Sequence, residues 1–206
     1  DLVFVPLGLN YDRVLEDRTL LLSVDPQARK PGRFWAAWNT LGFAANNLRL
    51  MLKSSWRRFG YACVNFGAPV SMREYCALRG LDFQKLSGEE RKRAIGELGK
   101  HLMAAVGRIV PVVPVPLIAS VFLSNEKKKI SELELKSGVE QLIETLEAAG
   151  AHVYIPRQDL DYAVTVGLRM LTLRRLVEEK DGLYCVRPIE LPLIRYYANS
   201  IVHLLP

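Results

Sequence analysis

The stretch Val3-Phe4-Val5-Pro6-Leu7-Gly8-Leu9-Asn10-Tyr11-Asp12-Arg13-Val14-Leu15-Glu16 decides how this chain is read. Its first half is nearly continuous in apolar residues. That predicts a strand over residues 2–9 buried on both faces, as in a parallel sheet. Pro6 removes a ladder donor, so it belongs at the end or the edge of that strand. Gly8 allows a close backbone approach. A polar cluster follows at once: Tyr11, Asp12, Arg13 and Glu16. Ligands of open α/β sheets bind at the carboxyl ends of strands, which places the cluster at the mouth of a cleft. Pro6, Gly8 and Tyr11 are therefore the candidate substrate-binding residues of a cleft wall. For Arg13 and Glu16, an ion pair that fixes the loop is the simpler role.

Outward from this stretch, residues 17–33 are polar and carry turn signals at Asp25-Pro26 and Lys30-Pro31-Gly32. They predict an exposed loop with at most one helical turn. Residues 33–59 form the clearest helix. Trp38, Leu41, Ala45, Leu48 and Leu52 share one face, with Asn39, Asn46, Arg49, Lys53 and Arg57 on a neighbouring one. Gly60 stops it. A short strand over 61–66 follows, closed by Gly67-Ala68-Pro69. Strand, helix and strand make a βαβ pattern.

Ser87 and Glu90 form a capping box that starts a second helix over 86–110. Pro111 ends it. The run to Pro116 reads as a connector, with another helix over 117–123. Ser131 and Glu134 cap a further helix with the apolar face Leu135, Val139, Leu142, Leu146 and Ala149, ended by Gly150. A short strand over 152–155, a helix over 160–173 and a hairpin over 176–186 follow. The hairpin turns at Asp181-Gly182. A last apolar helix spans 191–205. The fold class is α/β, with a sheet-containing front over 1–82 and a mostly helical domain over 83–206. The front has too few strands to stand alone.

Half of the 206 residues are hydrophobic, which excludes global disorder. The net charge of +6 favours anionic partners: lipid head groups, phosphorylated substrates or nucleic acid. Cys63, Cys76 and Cys185 form no CxxC pair, which argues against a disulfide framework or a zinc site, and no metal ligand is named. The opening residues lack the basic flank of a signal peptide. The longest apolar run, 109–123, is shorter than the roughly 20 residues that span a bilayer, and it holds Pro111, Pro114 and Pro116. Membrane contact is expected to be peripheral. The 33–59 helix suits it, with Phe34, Trp35, Trp38 and Trp56 beside Arg49, Lys53, Arg57 and Arg58. A core helix with a solvated basic edge fits the same residues.

The opening stretch resembles the last of the four sequence blocks of the glycerol-3-phosphate acyltransferases, Val/Ile-Pro-x-Gly-x-x-Tyr-Asp/Glu-Arg-x-x-Glu. Val64-Asn65-Phe66-Gly67-Ala68-Pro69-Val70 is similar to the family's Val-x-Phe-Gly-Glu-Pro-Ile segment, with Ala68 where the acid stands. Arg195-Tyr196-Tyr197-Ala198-Asn199-Ser200-Ile201-Val202-His203-Leu204 is similar to the Tyr-Tyr/Arg-x-Asn-x-Ile-x-His segment of the large, membrane-associated members. The resemblance implies the rear part of an enzyme whose catalytic blocks lie upstream. Residues 1–82 would be the second half of its acyltransferase α/β domain. The whole enzyme would move an acyl group from acyl-CoA or acyl-carrier protein to glycerol 3-phosphate, opening phospholipid synthesis. It would need no cofactor and would sit peripherally on the cytoplasmic face of the cell membrane.

Acyl transfer to an alcohol needs a base and oxyanion donors. The family's His-x-x-x-x-Asp pair is not supplied: Val106 stands five residues beyond His101, and Arg157 five beyond His152. His203 lies too near the end, and no Phe-Pro-Glu-Gly occurs. No catalytic residue is named. Asn199 and His203, four apart, are predicted to share a helix face as a hydrogen-bonded pair. A second reading is a basic, winged-helix-like nucleic-acid-binding module. Helices over 135–149 and 160–173, then the hairpin, follow a helix-helix-wing order. Against it, Arg174 and Arg175 stand before Glu178 and Glu179.

Overall fold

Val5-Pro6 divides the opening stretch into β1 (Val3–Phe4) and β2 (Leu7–Tyr11). The break falls on the proline, which has no N–H for a ladder. A computed structural model describes residues 1–24, 60–125 and 129–205 of the chain. Burial alternates strictly along β2: Gly8 and Asn10 point inward, while Leu7, Leu9 and Tyr11 are exposed. The strand expected to be buried on both faces therefore has one inner face only. It pairs antiparallel with β3 (Ala62–Phe66), Leu7 opposite Phe66 and Leu9 opposite Val64. β1 pairs antiparallel with β4 (Val70–Ser71). A βαβ unit joins parallel strands, so the expected pattern is not what links β2 to β3. The helix predicted over 33–59, with its tryptophans, lies outside the described residues.

After Glu16 the chain coils into α1 (Asp17–Val24), where polar composition predicts a loop. Tertiary contacts override composition here: Asp17 is anchored in the interior and Leu21 packs on the core. β4 runs into α2 (Met72–Arg79), a helix that apolar periodicity does not reveal. Its signals are local. The Ser71 hydroxyl accepts the Glu74 N–H, and Gly80 closes the helix at φ 61°.

α3 (Gly88–Arg108) starts at the predicted Ser87–Glu90 capping box. α4 (Pro114–Ser124) begins inside the proline run and not after it. Pro114 and Pro116 occupy its first turn, where N–H groups have no intrahelical partner, so the prolines cost little there. α4 is largely apolar, and all its residues but Ser120, Leu123 and Ser124 are buried, as the central helix of a core must be. Around it pack α5 (Glu132–Ala148), α6 (Leu160–Leu173) and α7 (Leu191–Asn199). The inner stripe of α5 is Leu135, Val139, Ile143 and Leu146; Ala149, expected on it, is exposed. Full burial of one such side chain stabilises the fold by roughly 1.5–3 kcal/mol.

The strand predicted over 152–155 shrinks to one parallel bridge, Val153 to Val112. The hairpin forms as predicted, from β6 (Val177–Lys180) and β7 (Leu183–Val186). Asp181 and Gly182 both have positive φ, as a two-residue turn of this kind requires. β5 (Ile130–Ser131) joins the far side of β7, giving a three-stranded sheet in the order β5-β7-β6. The last helix stops at Asn199, and His203 lies in a 3₁₀ turn, Val202–Leu204. The two residues thus do not share the helix face expected of them. The architecture is mixed α/β. Among the described residues no helix is long and apolar enough to cross a membrane.

Candidate functional site: a joint of three distant stretches

The segment leaving α3 offers three carbonyls, and each takes a side chain from a different part of the chain. The Gly107 carbonyl lies 3.0 Å from His203 Nε2. The Ile109 carbonyl accepts Asn65 Nδ2 at 3.0 Å, and the Pro111 carbonyl accepts Asn10 Nδ2 at 2.9 Å. A carbonyl only accepts, so Nε2 carries the proton of His203 in this contact. Gly107 and Ile109 stand at the C-terminal end of α3, where carbonyls run short of intrahelical donors, and His203 and Asn65 supply donors there. Asn10 reaches its carbonyl because alternation turns it inward, and it donates also to Ser200 Oγ at 3.2 Å. Gly8 lets β2 come this close. A Cβ there would stand 2.5 Å from the Ile109 carbonyl oxygen.

One residue beyond β2, Asp12 is fully buried. Its Oδ2 accepts the Tyr61 N–H and its Oδ1 the Val115 N–H, both at 2.9 Å. Val115 lies in the first turn of α4, so the carboxylate closes the positive end of the central helix. Gly60 makes room for it, with φ at +88°; a Cβ there would stand 2.5 Å from the Cβ of Asp12. Burial pushes the Asp12 carboxyl up to about 6, and the two backbone hydrogen bonds only partly oppose that rise.

Asp17 is 1% exposed. Its Oδ2 accepts Arg174 Nη2 at 2.5 Å and also the Tyr197 hydroxyl. That hydroxyl in turn accepts Arg174 Nη1 at 2.7 Å and the Val14 N–H at 3.3 Å. Burial pushes the Tyr197 hydroxyl up to about 12; Arg174 opposes the rise and Asp17 adds to it. Next to Asp17, Arg18 pairs with Glu190 at 3.0 Å. The network binds the start of α1 to the residue after α6 and to α7. Every buried polar atom in it has a partner, which such a network needs if it is to stabilise a fold.

The three candidate cleft residues divide between two faces. Pro6 and Gly8 are buried on the inner side, and the Pro6 carbonyl accepts the Gly67 N–H at 2.9 Å. Tyr11 is exposed on the outer face with Leu7, Leu9, Val64 and Phe66. Glu16 and Ala68 are exposed. His101 lies against the buried Tyr75 ring, centroids 5.3 Å apart, and His152 contributes its carbonyl to the Val112 N–H. Sequence patterns missed Asn10, Asp17 and Arg174. A strict period of two through Gly8, Asn10 and Asp12 was the available signal for Asn10. For Asp17 and Arg174, partners 157 positions apart, local pattern holds none.

The helix-helix-wing order exists in α5, α6 and the β6–β7 hairpin. Its charge is wrong for nucleic acid. The exposed hairpin carries Glu178, Glu179 and Asp181 against Lys180, and α6 opens with Asp161. Phosphate backbones are held by cations, so the nucleic-acid reading is set aside. Among the described residues no group of three His, Cys, Asp or Glu side chains gathers as for a metal ion.

A family model described as the C-terminal region of glycerol-3-phosphate acyltransferase matches residues 46–205. Relatives named glycerol-3-phosphate acyltransferase occur in Ectopseudomonas mendocina, 26% identical over 212 residues, and in Pseudomonas savastanoi pv. phaseolicola, 26% identical over 214. Another, from Pseudomonas putida, is 27% identical over 214 residues. Each match covers 98% of this chain and 24% of the relative, so the chain spans about a quarter of the length of the curated relatives it matches. The match over 46–205 takes in the joint's carbonyls at 107–111, Asn65, Tyr197 and His203, and on it the chain belongs to the family of glycerol-3-phosphate acyltransferase C-terminal regions.

Proposed function

We propose that this chain is the rear part of a glycerol-3-phosphate O-acyltransferase. The whole enzyme transfers an acyl group from acyl-CoA or acyl-carrier protein to the first hydroxyl of glycerol 3-phosphate. The hydroxyl oxygen bonds to the thioester carbonyl carbon, the carbon–sulfur bond breaks, and the thiol leaves with the proton. The donor is already activated, so no redox cofactor takes part. The carrying observation is the meeting of the three family-like stretches on the carbonyls of residues 107–111, through Asn10, Asn65 and His203. Stretches scattered over the chain serve one joint.

The role of the chain in that enzyme is architectural. On the outer face of β2 and β3, Leu7, Leu9, Tyr11, Val64 and Phe66 stand exposed in facing rows, Phe66 at 72%. Apolar patches of this kind mark surfaces that pack against something. The face supports reading 1–82 as the second half of an α/β acyltransferase domain and 83–206 as its helical companion. Tyr11, exposed on that face, then belongs to the wall of its cleft, and Pro6 and Gly8 back that wall from the inner side. The positive net charge fits a peripheral place on the cytoplasmic face of the cell membrane.

The test compares this chain with the longest natural protein that contains it, using labelled glycerol 3-phosphate and acyl-CoA. The long protein should form lysophosphatidate and the chain alone should not. Turnover by the chain alone would mean that it holds the catalytic base. No product from the long protein with either acyl donor would end the acyltransferase reading.

A further inference from the structure

Beside Asp12, at the carboxyl end of β2, four side chains gather on the outside of the joint. Tyr61 precedes β3, Tyr154 follows the Val153 bridge, Arg157 lies in the 3₁₀ turn Pro156–Gln158, and Tyr162 is in the first turn of α6. The rings of Tyr61 and Tyr154 are 5.4 Å apart and tilted by 60°. The guanidinium carbon of Arg157 lies 4.1 Å from the centre of the Tyr162 ring. Burial pushes the Tyr61 hydroxyl up to about 12, aided by the neighbouring Tyr162 hydroxyl, so it remains a donor at physiological pH.

Two features set this cluster apart from ordinary surface packing. The first is charge. Among the described residues Arg157 enters no ion pair. The acids nearest in sequence are engaged elsewhere: Asp159 Oδ1 accepts the Tyr162 N–H at 2.9 Å, and Asp161 pairs with Lys136 at 2.8 Å. The second is backbone strain. Arg157 and the following Gln158 have φ of 60° and 55°. This left-handed region suits glycine and is costly for residues that carry a Cβ. From this backbone the guanidinium of Arg157 reaches over the Tyr162 ring. A guanidinium over a ring face and in no ion pair offers its N–H groups to a ligand, in the fork that matches two oxygens of a phosphate.

We propose that Arg157, with Tyr61, Tyr154 and Tyr162, binds the phosphate group of a phosphate ester. Arg157 supplies the charge and the paired donors. The tyrosine hydroxyls supply further donors, and the rings take the carbon part of the ester. Either a small phosphorylated metabolite or a phospholipid head group carries this chemistry. The site stands on this chain's own residues and does not rest on the acyltransferase reading.

The test uses the full chain. Calorimetric titration with glycerol 3-phosphate and with inorganic phosphate reads the small ligands. Co-sedimentation with phosphatidylcholine vesicles, with and without phosphatidylglycerol, reads the head group. One arm should show binding, and which one shows it identifies the source. Arg157→Gln should weaken that binding about tenfold or more, the scale for losing a charge-assisted hydrogen bond. Arg157→Gly removes the cation together with the strain. Its binding should fall equally while its Tm holds or rises, which separates a lost ligand contact from a lost fold. The proposal is overturned if no arm shows binding above neutral vesicles and buffer, or if Arg157→Gln and Arg157→Gly bind as the parent chain does.

Discussion

Replacing Asp12 by alanine sets two large effects against each other. The substitution strips the acceptor from the buried N–H groups of Tyr61 and Val115. Each orphaned donor costs about 1–3 kcal/mol. It also removes a carboxylate that is itself expensive to bury. Burial holds that group at about 6 instead of 3.8. At about 1.4 kcal/mol for each tenfold change in proton affinity, keeping it ionised well above pH 6 costs about 3 kcal/mol. At pH 7.5 these effects offset in part, and Asp12→Ala should lose about 1–3 kcal/mol. The pH dependence carries the sharper expectation. The folded value lies above the unfolded one, so the stabilising contribution is full below pH 3.8 and fades as pH rises through about 6. Between pH 7.5 and pH 5 the parent chain should gain about 1.4 kcal/mol from this group, and the alanine variant cannot. Urea unfolding of both proteins, followed by circular dichroism at the two pH values, measures the difference. The alanine penalty should be larger at pH 5. A penalty that is larger at pH 7.5 would refute the reasoning. It would mean that the two N–H groups and the positive end of α4 stabilise the anion more than burial opposes it.

Gly8→Ala drives a Cβ to within 2.5 Å of a backbone oxygen that cannot swing aside. The cost should be about 1–3 kcal/mol, read as a lower Tm in scanning calorimetry; a neutral result would show that β2 sits farther from Ile109. Arg174→Ala leaves Asp17 buried without its cation and should cost about 3–5 kcal/mol. Adding Asp17→Asn should recover part of that loss, whereas strictly additive penalties in the double-mutant cycle would deny the coupling. Phe66→Ser should leave the chain's own stability within about 0.5 kcal/mol. In the longer protein it should lower acyltransferase yield, and an unchanged yield would mean that nothing packs on this face.

Elements with local signals were legible from residues alone. Ser87 with Glu90 and Ser131 with Glu134 mark the starts of α3 and α5, because a capping box is written within four residues. Asp181-Gly182 marks the hairpin for the same reason. Errors came where a local rule has two outcomes. Prolines near 114 read as a connector, yet they are also the residues a first helical turn tolerates best. Apolar residues at every position of 2–9 read as burial on both sides. They leave one face open instead, because no other described element covers Leu7 and Leu9. The joint was the least legible part. Asn10 meets Pro111 across 101 positions, and Asp17 meets Tyr197 across 180. No window-based pattern reports contacts at such separations.

Alternation along β2 also divides the labour within the opening stretch. Gly8, Asn10 and Asp12 share the inner side. Gly8 sits against Ile109, the Asn10 amide donates to Pro111 and Ser200, and both Asp12 oxygens receive backbone N–H groups. A carboxylate so placed, fully buried with both oxygens engaged, cannot reach a ligand without undoing the start of α4. Leu7, Leu9 and Tyr11 carry none of that burden. A stretch that resembles one of the family's sequence blocks thus spends Asp12 on architecture and turns its tyrosine outward. Tyr11 stands exposed beside Leu7 and Leu9, open to whatever packs on that face, while Asp12 holds the sheet to the central helix.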